Sequence, residues 1–231
     1  MCALPMACHE AWLKRPFHFS AGLDSWVANA VLSLAIMEFQ GRHGRNPSTL
    51  LDPCCGSGTL AAMAAASGIF SQVFARDVDE PFLQRATENF AHFSTHAPLS
   101  ALDVGVHDAA TPFNLPQPDI IIANPPWGWR IGLARTASTE EILANLLHQF
   151  PSAIVAVICP ELPTQLGQFQ VRSSCALGQS AVWILIPGEN QREKVTATHA
   201  NVGAAWCCHV GDSSAKLWFC FCMLINTNEY K

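Results

Sequence analysis

Thr49-Leu50-Leu51-Asp52-Pro53-Cys54-Cys55-Gly56-Ser57-Gly58-Thr59-Leu60-Ala61-Ala62-Met63-Ala64-Ala65-Ala66 is the stretch that decides the fold. A short apolar run ends on Asp52, the chain turns between Pro53 and Gly58, and strong helix formers follow from Thr59. The order is strand, glycine loop, helix. Gly56 and Gly58 can supply positive φ and a surface without Cβ, Ser57 adds a hydroxyl, and the helix start near Thr59 presents unpaired N–H groups. Taken alone, the segment reads equally as a tight strand-to-helix turn. The glycines follow a GxG spacing with no third glycine and no Gly-Lys-Ser/Thr after them, which disfavours pyrophosphate and triphosphate and leaves an uncharged or zwitterionic nucleoside as the ligand.

Outward from this loop the same alternation recurs. Upstream, Asp24 caps an apolar-periodic helix from Ser25 that ends near Gly41. Downstream, Gln72 to Ala75 reads as a strand, Pro81 to Phe93 as a helix, Asp119 to Ala123 as a strand, Thr139 to Phe150 as a helix and Ala153 to Ile158 as a strand. Strands alternating with helices imply an α/β fold, a mainly parallel sheet covered on both faces. Beyond Pro160 the pattern loosens, and Val182 to Ile186 and Lys216 to Leu224 are strand candidates that could form a closing hairpin. No internal repeat or low-complexity linker interrupts the chain.

The 231 residues, half of them hydrophobic, suit a single domain spanning residues 1–231. Charged residues reach only 13%, yet no apolar run attains the ~18 residues of a membrane span, so a soluble protein is expected. Met1 to Arg15 lacks the pattern of a secretory signal, which points to the cytoplasm and leaves an organellar address open. The ten cysteines lie mostly inside apolar runs and the nine histidines are dispersed, so buried thiols are expected and no metal site. A net charge of −5 argues against a grip on nucleic acid by bulk electrostatics alone; any such grip must be local, weak or shared with a partner.

The chemistry concentrates after the strands. Asp77, about twenty residues past the glycines, can accept both ribose hydroxyls of a nucleoside, or can cap the helix at Pro81, a role for which Asp79 competes. Asp108 can accept from an adenine amino group or serve as a turn residue. Asn124-Pro125-Pro126-Trp127-Gly128 directly follows the apolar strand that ends at Ala123. Its two prolines stiffen the turn, so the Asn124 amide and the Asn124 and Pro125 carbonyls can converge on one small site, with Trp127 stacking a base. A weakly nucleophilic base amino nitrogen needs such acceptors to align its lone pair on a methyl donor. The alternative is a rigid loop with a packed Trp127.

Leu51 to Thr59 together with Asn124-Pro125-Pro126-Trp127-Gly128-Trp129-Arg130 resembles the class I methyltransferases of base amino groups. Within them it looks most like the RNA guanine-N2 methyltransferases, the catalytic domain of the ribosomal large-subunit K/L-like enzymes and their THUMP-containing tRNA relatives. Lys14-Arg15-Pro16-Phe17-His18 is similar to the lead-in of that domain. The resemblance covers residues 14–160; residues 161–231 offer only generic late strands. It implies a Rossmann-like, seven-stranded, three-layer α/β/α domain that uses S-adenosylmethionine. Gly56, Ser57 and Gly58 would line the cofactor's methionine and ribose, with Asp52, Cys54 and Thr59 completing the loop's contacts. Asp77 and Val78 would meet the ribose, and Asp108 and Ala109 the adenine. Asn124, Pro125, Pro126 and Trp127 would hold the target amino group, Asn124 also facing the cofactor, and Arg130 would sit at the mouth beside Trp127.

There are departures: Trp127 stands where Tyr is commoner, Ala75-Arg76-Asp77 lacks the usual glycine, and no THUMP-like domain fits in this length. The expected substrate is tRNA or ribosomal RNA, with a small activator subunit or a separate RNA-binding protein as a further expectation. Lys14, Arg15, Arg42, Arg45, Arg130 and Arg135 cluster in the half that carries the pocket and read as RNA contacts or as ordinary solvated charge. N6-adenine methylation of DNA or RNA, a small-molecule or protein N-methyltransferase and a catalytically silent scaffold are the rival readings.

Overall fold

The structure, a computed structural model, describes residues 4–19, 22–99, 102–126 and 137–188. In chain order the elements are α1 (Met6–Leu13), α2 (Ser25–His43), β1 (Thr49–Asp52), α3 (Thr59–Ala66), β2 (Gln72–Asp77), α4 (Glu80–Ser94), β3 (Leu102–Val106), β4 (Ile120–Ala123), α5 (Thr139–Gln149), β5 (Ile154–Cys159), β6 (Phe169–Leu177) and β7 (Ser180–Pro187). The strands form one seven-stranded sheet in the order β3-β2-β1-β4-β5-β7-β6. The first five run parallel, and β7 is antiparallel to both β5 and β6.

The helix boundaries follow from local chemistry. Asp24 caps α2 by accepting from the Trp26 amide at 2.8 Å. The helix runs through Gly41, its expected end, and stops at Gly44, which takes φ 63° and donates to the Gln40 carbonyl at 2.9 Å. Asp79, not Asp77, caps α4, accepting from Phe82 N at 2.9 Å. Ser138 and Glu141 cap α5 reciprocally.

Alternation along the central strands divides the interior into two cores. Leu50, Ile120 and Ile122 face Trp12, Phe39, Met63 and Phe93 on the side of α1 to α4, whereas Leu51, Ile121 and Val155 face Leu143, Leu146 and Phe150 beneath α5. Strands buried on both faces carry continuous apolar runs, which is why β1, β4 and β5 are visible in the sequence. The closing hairpin is present, but the partner of Val182 to Ile186 is β6, turned back through Gly178 (φ 60°) and Gln179. The Lys216 to Leu224 candidate lies outside the described residues. Among the described residues, Cys8, Cys54, Cys55, Cys159 and Cys175 are thiols, three of them buried, and no helix is long and apolar enough to cross a membrane.

Candidate functional site

The strand order reverses between β1 and β4, and at such a point the carboxyl ends of a parallel sheet leave a crevice. A cleft of about 860 Å³ lies there. Cys54, Gly56, Ser57 and Thr59 line it after β1, Asp77 and Val78 at the end of β2, Asp108 and Ala109 after β3, and Asn124, Pro125 and Pro126 after β4. Trp127 and Arg130 lie outside the described residues.

The glycine loop is drawn tight by amides. Cys55 N donates to the Arg76 carbonyl and Gly58 N to the Cys55 carbonyl, each at 2.8 Å, and Gly56 N donates to Asp77 Oδ2 at 2.8 Å. Gly56 has φ 52° and no atom within 4 Å of where a Cβ would stand, so it leaves open space beside the cleft. Gly58 differs from the expectation. It does not line the cleft; at φ 88° a Cβ would come within 2.4 Å of the Phe90 ring, so its missing side chain admits α4 rather than a ligand.

Asp52 also departs from the expected contact. It is completely buried behind the loop and does not line the cleft. Burial, reinforced by the charge of Asp77, pushes its carboxyl up to about 8. The Cys54 and Ala61 amides favour the anion, but neither carboxylate oxygen has a partner in full hydrogen-bond geometry.

Asp77 accepts from the Gly56 and Asp79 amides. Burial raises its pKa while these bonds oppose the rise. A carboxylate has about four acceptor sites, so two backbone donors leave room for hydroxyls. Asp108 serves as a turn residue, its Oδ1 accepting from Ala110 N at 3.0 Å, and the residue also lines the cleft. Asn145 Nδ2 holds that loop through the carbonyls of Ala109 and Thr111, at 2.9 and 2.7 Å. Pro125 is buried, and the Pro126 carbonyl accepts from Thr139 Oγ1 at 3.2 Å, which ties the Asn-Pro-Pro turn to the first residue of α5.

Other walls were not legible in the sequence. Phe19, Gly22, Leu23 and Asp24 come from the segment before α2, Phe82 from α4, and Leu177, Gln179 and Ser180 from the β6–β7 turn. Asp24 is visible as a helix cap, but no local pattern could show that the cap opens on the cleft. Thr59 carries a further tie, accepting from Trp12 Nε1 at 3.3 Å.

The basic set is dispersed. Arg15 is buried, donating to the Trp12 carbonyl at 2.9 Å with its guanidinium over the Trp12 ring. Arg45 pairs with Asp119 at 2.8 Å, before β4 and so at the opposite end of the sheet, and Arg42 donates to the Pro187 carbonyl. These three do not line the cleft. Lys14 is exposed, and Arg130 and Arg135 lie outside the described residues.

The family profile described as RMKL-like, methyltransferase domain, matches residues 13–161. The chain belongs to that family. It is 35% identical over 156 residues to a tRNA (guanine(6)-N2)-methyltransferase of Thermus thermophilus, a match covering 65% of this chain and 42% of the relative. The chain thus spans about two fifths of the length of that curated relative. Among solved structures, TrmN from Thermus thermophilus superposes with a TM-score of 0.56 at 28% identity, covering 78% of this chain and 52% of that one. The rRNA methyltransferase aviRa from Streptomyces viridochromogenes superposes with a TM-score of 0.57 at 17% identity, covering 77% and 89%, a likeness of fold. The family and the sheet order agree on a class I methyltransferase fold.

Proposed function

We propose that this domain transfers a methyl group from S-adenosylmethionine to an exocyclic amino nitrogen of an RNA base, guanine N2 in tRNA being the first candidate. The observation that carries the reading is the convergence of the glycine loop, Asp77 and Asn124-Pro125-Pro126 on one cleft at the switch point of the sheet. The Thermus relative supplies the candidate base and RNA.

The cofactor fits the residues present. Gly56 leaves the space that a side chain would fill, and Asp77, held by two amides, keeps acceptor sites for ribose hydroxyls. Asp108 has Oδ2 left for an adenine amino group. When bound, S-adenosylmethionine supplies an electrophilic methyl carbon. The chain's own part is positioning. The Asn124 side-chain oxygen and the Pro125 carbonyl accept the two N–H bonds of the target amino group and turn its lone pair outward. Thr139 steadies that turn through the Pro126 carbonyl. The released proton needs no strong base and passes to water. Orientation of this kind supplies several kcal/mol.

A partner that supplies the RNA grip, either a small activator subunit or a separate RNA-binding protein, belongs to the same proposal. It is supported by the commitment of Arg15, Arg45 and Arg76 to contacts within the domain.

The test is calorimetric binding of S-adenosylmethionine to the wild type and Asp77→Ala, followed by labelled methyl transfer to tRNA, ribosomal RNA and DNA, with digestion to nucleosides. Binding weakened in Asp77→Ala and label in N2-methylguanosine are expected. Label in N6-methyladenosine would overturn the base assignment, binding without transfer even with added cell extract would favour a scaffold, and no binding would end the proposal.

A further inference from the structure

Asn89 is fully buried in the middle of α4, among Leu83, Ala86, Phe90 and Phe93. An amide at such a position is unfavourable unless every hydrogen bond is made, and asparagine adds nothing to helix propensity. Here its side chain is engaged by two other segments. Nδ2 donates to the Ser57 carbonyl and to the Phe17 carbonyl, each at 3.0 Å, and Oδ1 accepts from Phe17 N at 2.8 Å. One side chain thus joins α4, the glycine loop and the segment leading into α2.

That lead-in segment is part of the cleft. Phe17 and Phe19 set their rings edge-on to Phe82, with centroids 5.6 and 4.8 Å away, and Phe19, Gly22 and Phe82 all line the cavity. It also presses on the glycine loop: a Cβ on Gly22 would stand 2.9 Å from the Phe19 carbonyl oxygen and 3.1 Å from Ser57 Oγ. Phe82 and Asn89 lie about two turns apart on α4, so one helix face supports both walls of this end of the cleft. Any shift of Phe17 relative to Ser57 must break an Asn89 hydrogen bond.

We infer that Asn89 is a positioning residue for cofactor binding, fixing the distance between the lead-in segment and the glycine loop so that the cleft is preformed. The inference rests on the reading that the cleft takes S-adenosylmethionine. Removing the amide strands the Ser57 carbonyl and both Phe17 backbone groups, and the cofactor must then restore the alignment at its own cost.

The test measures S-adenosylmethionine affinity by calorimetry for wild type, Asn89→Ala, Gly22→Val, the double variant, and Leu147→Ala. Leu147 is buried in the core beneath α5 and serves as a control for general destabilisation. Asn89→Ala is expected to weaken binding about tenfold or more. Leu147→Ala should leave affinity within about twofold at a similar loss of Tm. Because Asn89 and Gly22 act through the same segment, the double variant should bind about as the weaker single variant does, whereas independent effects would multiply. Should Asn89→Ala not fold, Asn89→Ser is measured in its place. Wild-type binding with an Asn89 variant indistinguishable from Leu147→Ala, or a strictly multiplicative double variant, overturns the inference. If the wild type does not bind, the cofactor reading fails instead. The joint itself is then read by chymotrypsin cleavage after Phe17, expected to accelerate in Asn89→Ala over the control; an unchanged rate overturns it.

Discussion

Replacing Asp52 with asparagine should change stability with a sign that depends on pH. The carboxyl is completely buried, and burial together with neighbouring Asp77 moves it from an ordinary value of 3.8 up to about 8. Between those two values the native protein holds a proton that the unfolded chain has lost. The stability this proton contributes is therefore fully present below about pH 4 and declines as pH rises toward 8, at about 1.4 kcal/mol per pH unit, a cumulative loss on the order of 5 kcal/mol. Asparagine keeps the volume and never ionises, but its amide brings donors into a site where the acid oxygens already lack well-aligned partners, a cost of about 1–2 kcal/mol. Setting that constant cost against the wild type's loss gives a crossing near about pH 5. At pH 4 the variant should be the less stable protein, and at pH 8.5 the more stable one by about 3–4 kcal/mol.

The assay is urea unfolding of wild type and Asp52→Asn at half-unit steps from pH 4 to 8.5. His9, which is buried with its pKa lowered by desolvation, costs stability as pH falls below its ordinary 6.5, but it does so in both proteins and cancels in their difference. Asp77, also raised, leaves a residual slope in the variant. A difference between the two proteins that stays constant across this range would refute the reasoning, since it would mean that Asp52 ionises as easily in the native state as in the unfolded chain.

The two loop glycines should fail in different ways. Gly58→Ala drives a methyl into the Phe90 ring at positive φ and should cost about 3 kcal/mol or more in denaturant unfolding, part of it recovered in a Phe90→Leu background. Gly56→Ala meets no neighbour and should cost only ~1 kcal/mol of stability, yet weaken S-adenosylmethionine binding in calorimetry by placing a methyl beside the cleft. Asn124→Ala should lower the single-turnover methyl-transfer rate by at least about 100-fold while S-adenosylmethionine affinity changes by only a few fold. Thr139→Val removes the bond to the Pro126 carbonyl and should lower that rate about five- to tenfold, with unfolding free energy reduced by about 1 kcal/mol.

The parts of the fold that could be read from the sequence are those whose pattern is local. Leu50, Leu51, Ile120 to Ile122 and Ile154 to Ile158 are buried on both faces and announce themselves as apolar runs, and Asp24 marks a helix start by capping. Helix α1 gives no such signal: Pro5 stands at its N-cap with no side-chain bond, and its buried His9 and Trp12 are explained only by Ser25, Trp26 and Thr59 elsewhere in the chain. Strand β6 is hidden for the opposite reason. As an edge strand it exposes Gln170, Val171 and Arg172 and lacks an apolar run, so its pairing with the strand seen at Val182 to Ile186 is not visible in the sequence.

The same distinction separates the two halves of the cleft. Its floor is made by strand ends followed by the candidate residues, and the ends of β1 and β4 are legible because an apolar run stops there. Its rim is made by Phe19 and Gly22, by Phe82 and by the β6–β7 turn, which meet only after the chain has folded. Side-chain commitment is equally invisible: Arg15 and Arg45 look like candidates for phosphate until Trp12 and Asp119 are seen to hold them. Four aspartates line the cleft, Asp24, Asp77, Asp79 and Asp108, and no lysine or arginine joins them among the described residues. A cleft of that charge suits a sulfonium cofactor and repels phosphate. On the proposed RNA reading, the electrostatic work of holding the backbone falls to residues other than the described cleft walls or to a partner, and such a division would place the base in the cleft while the backbone is held elsewhere.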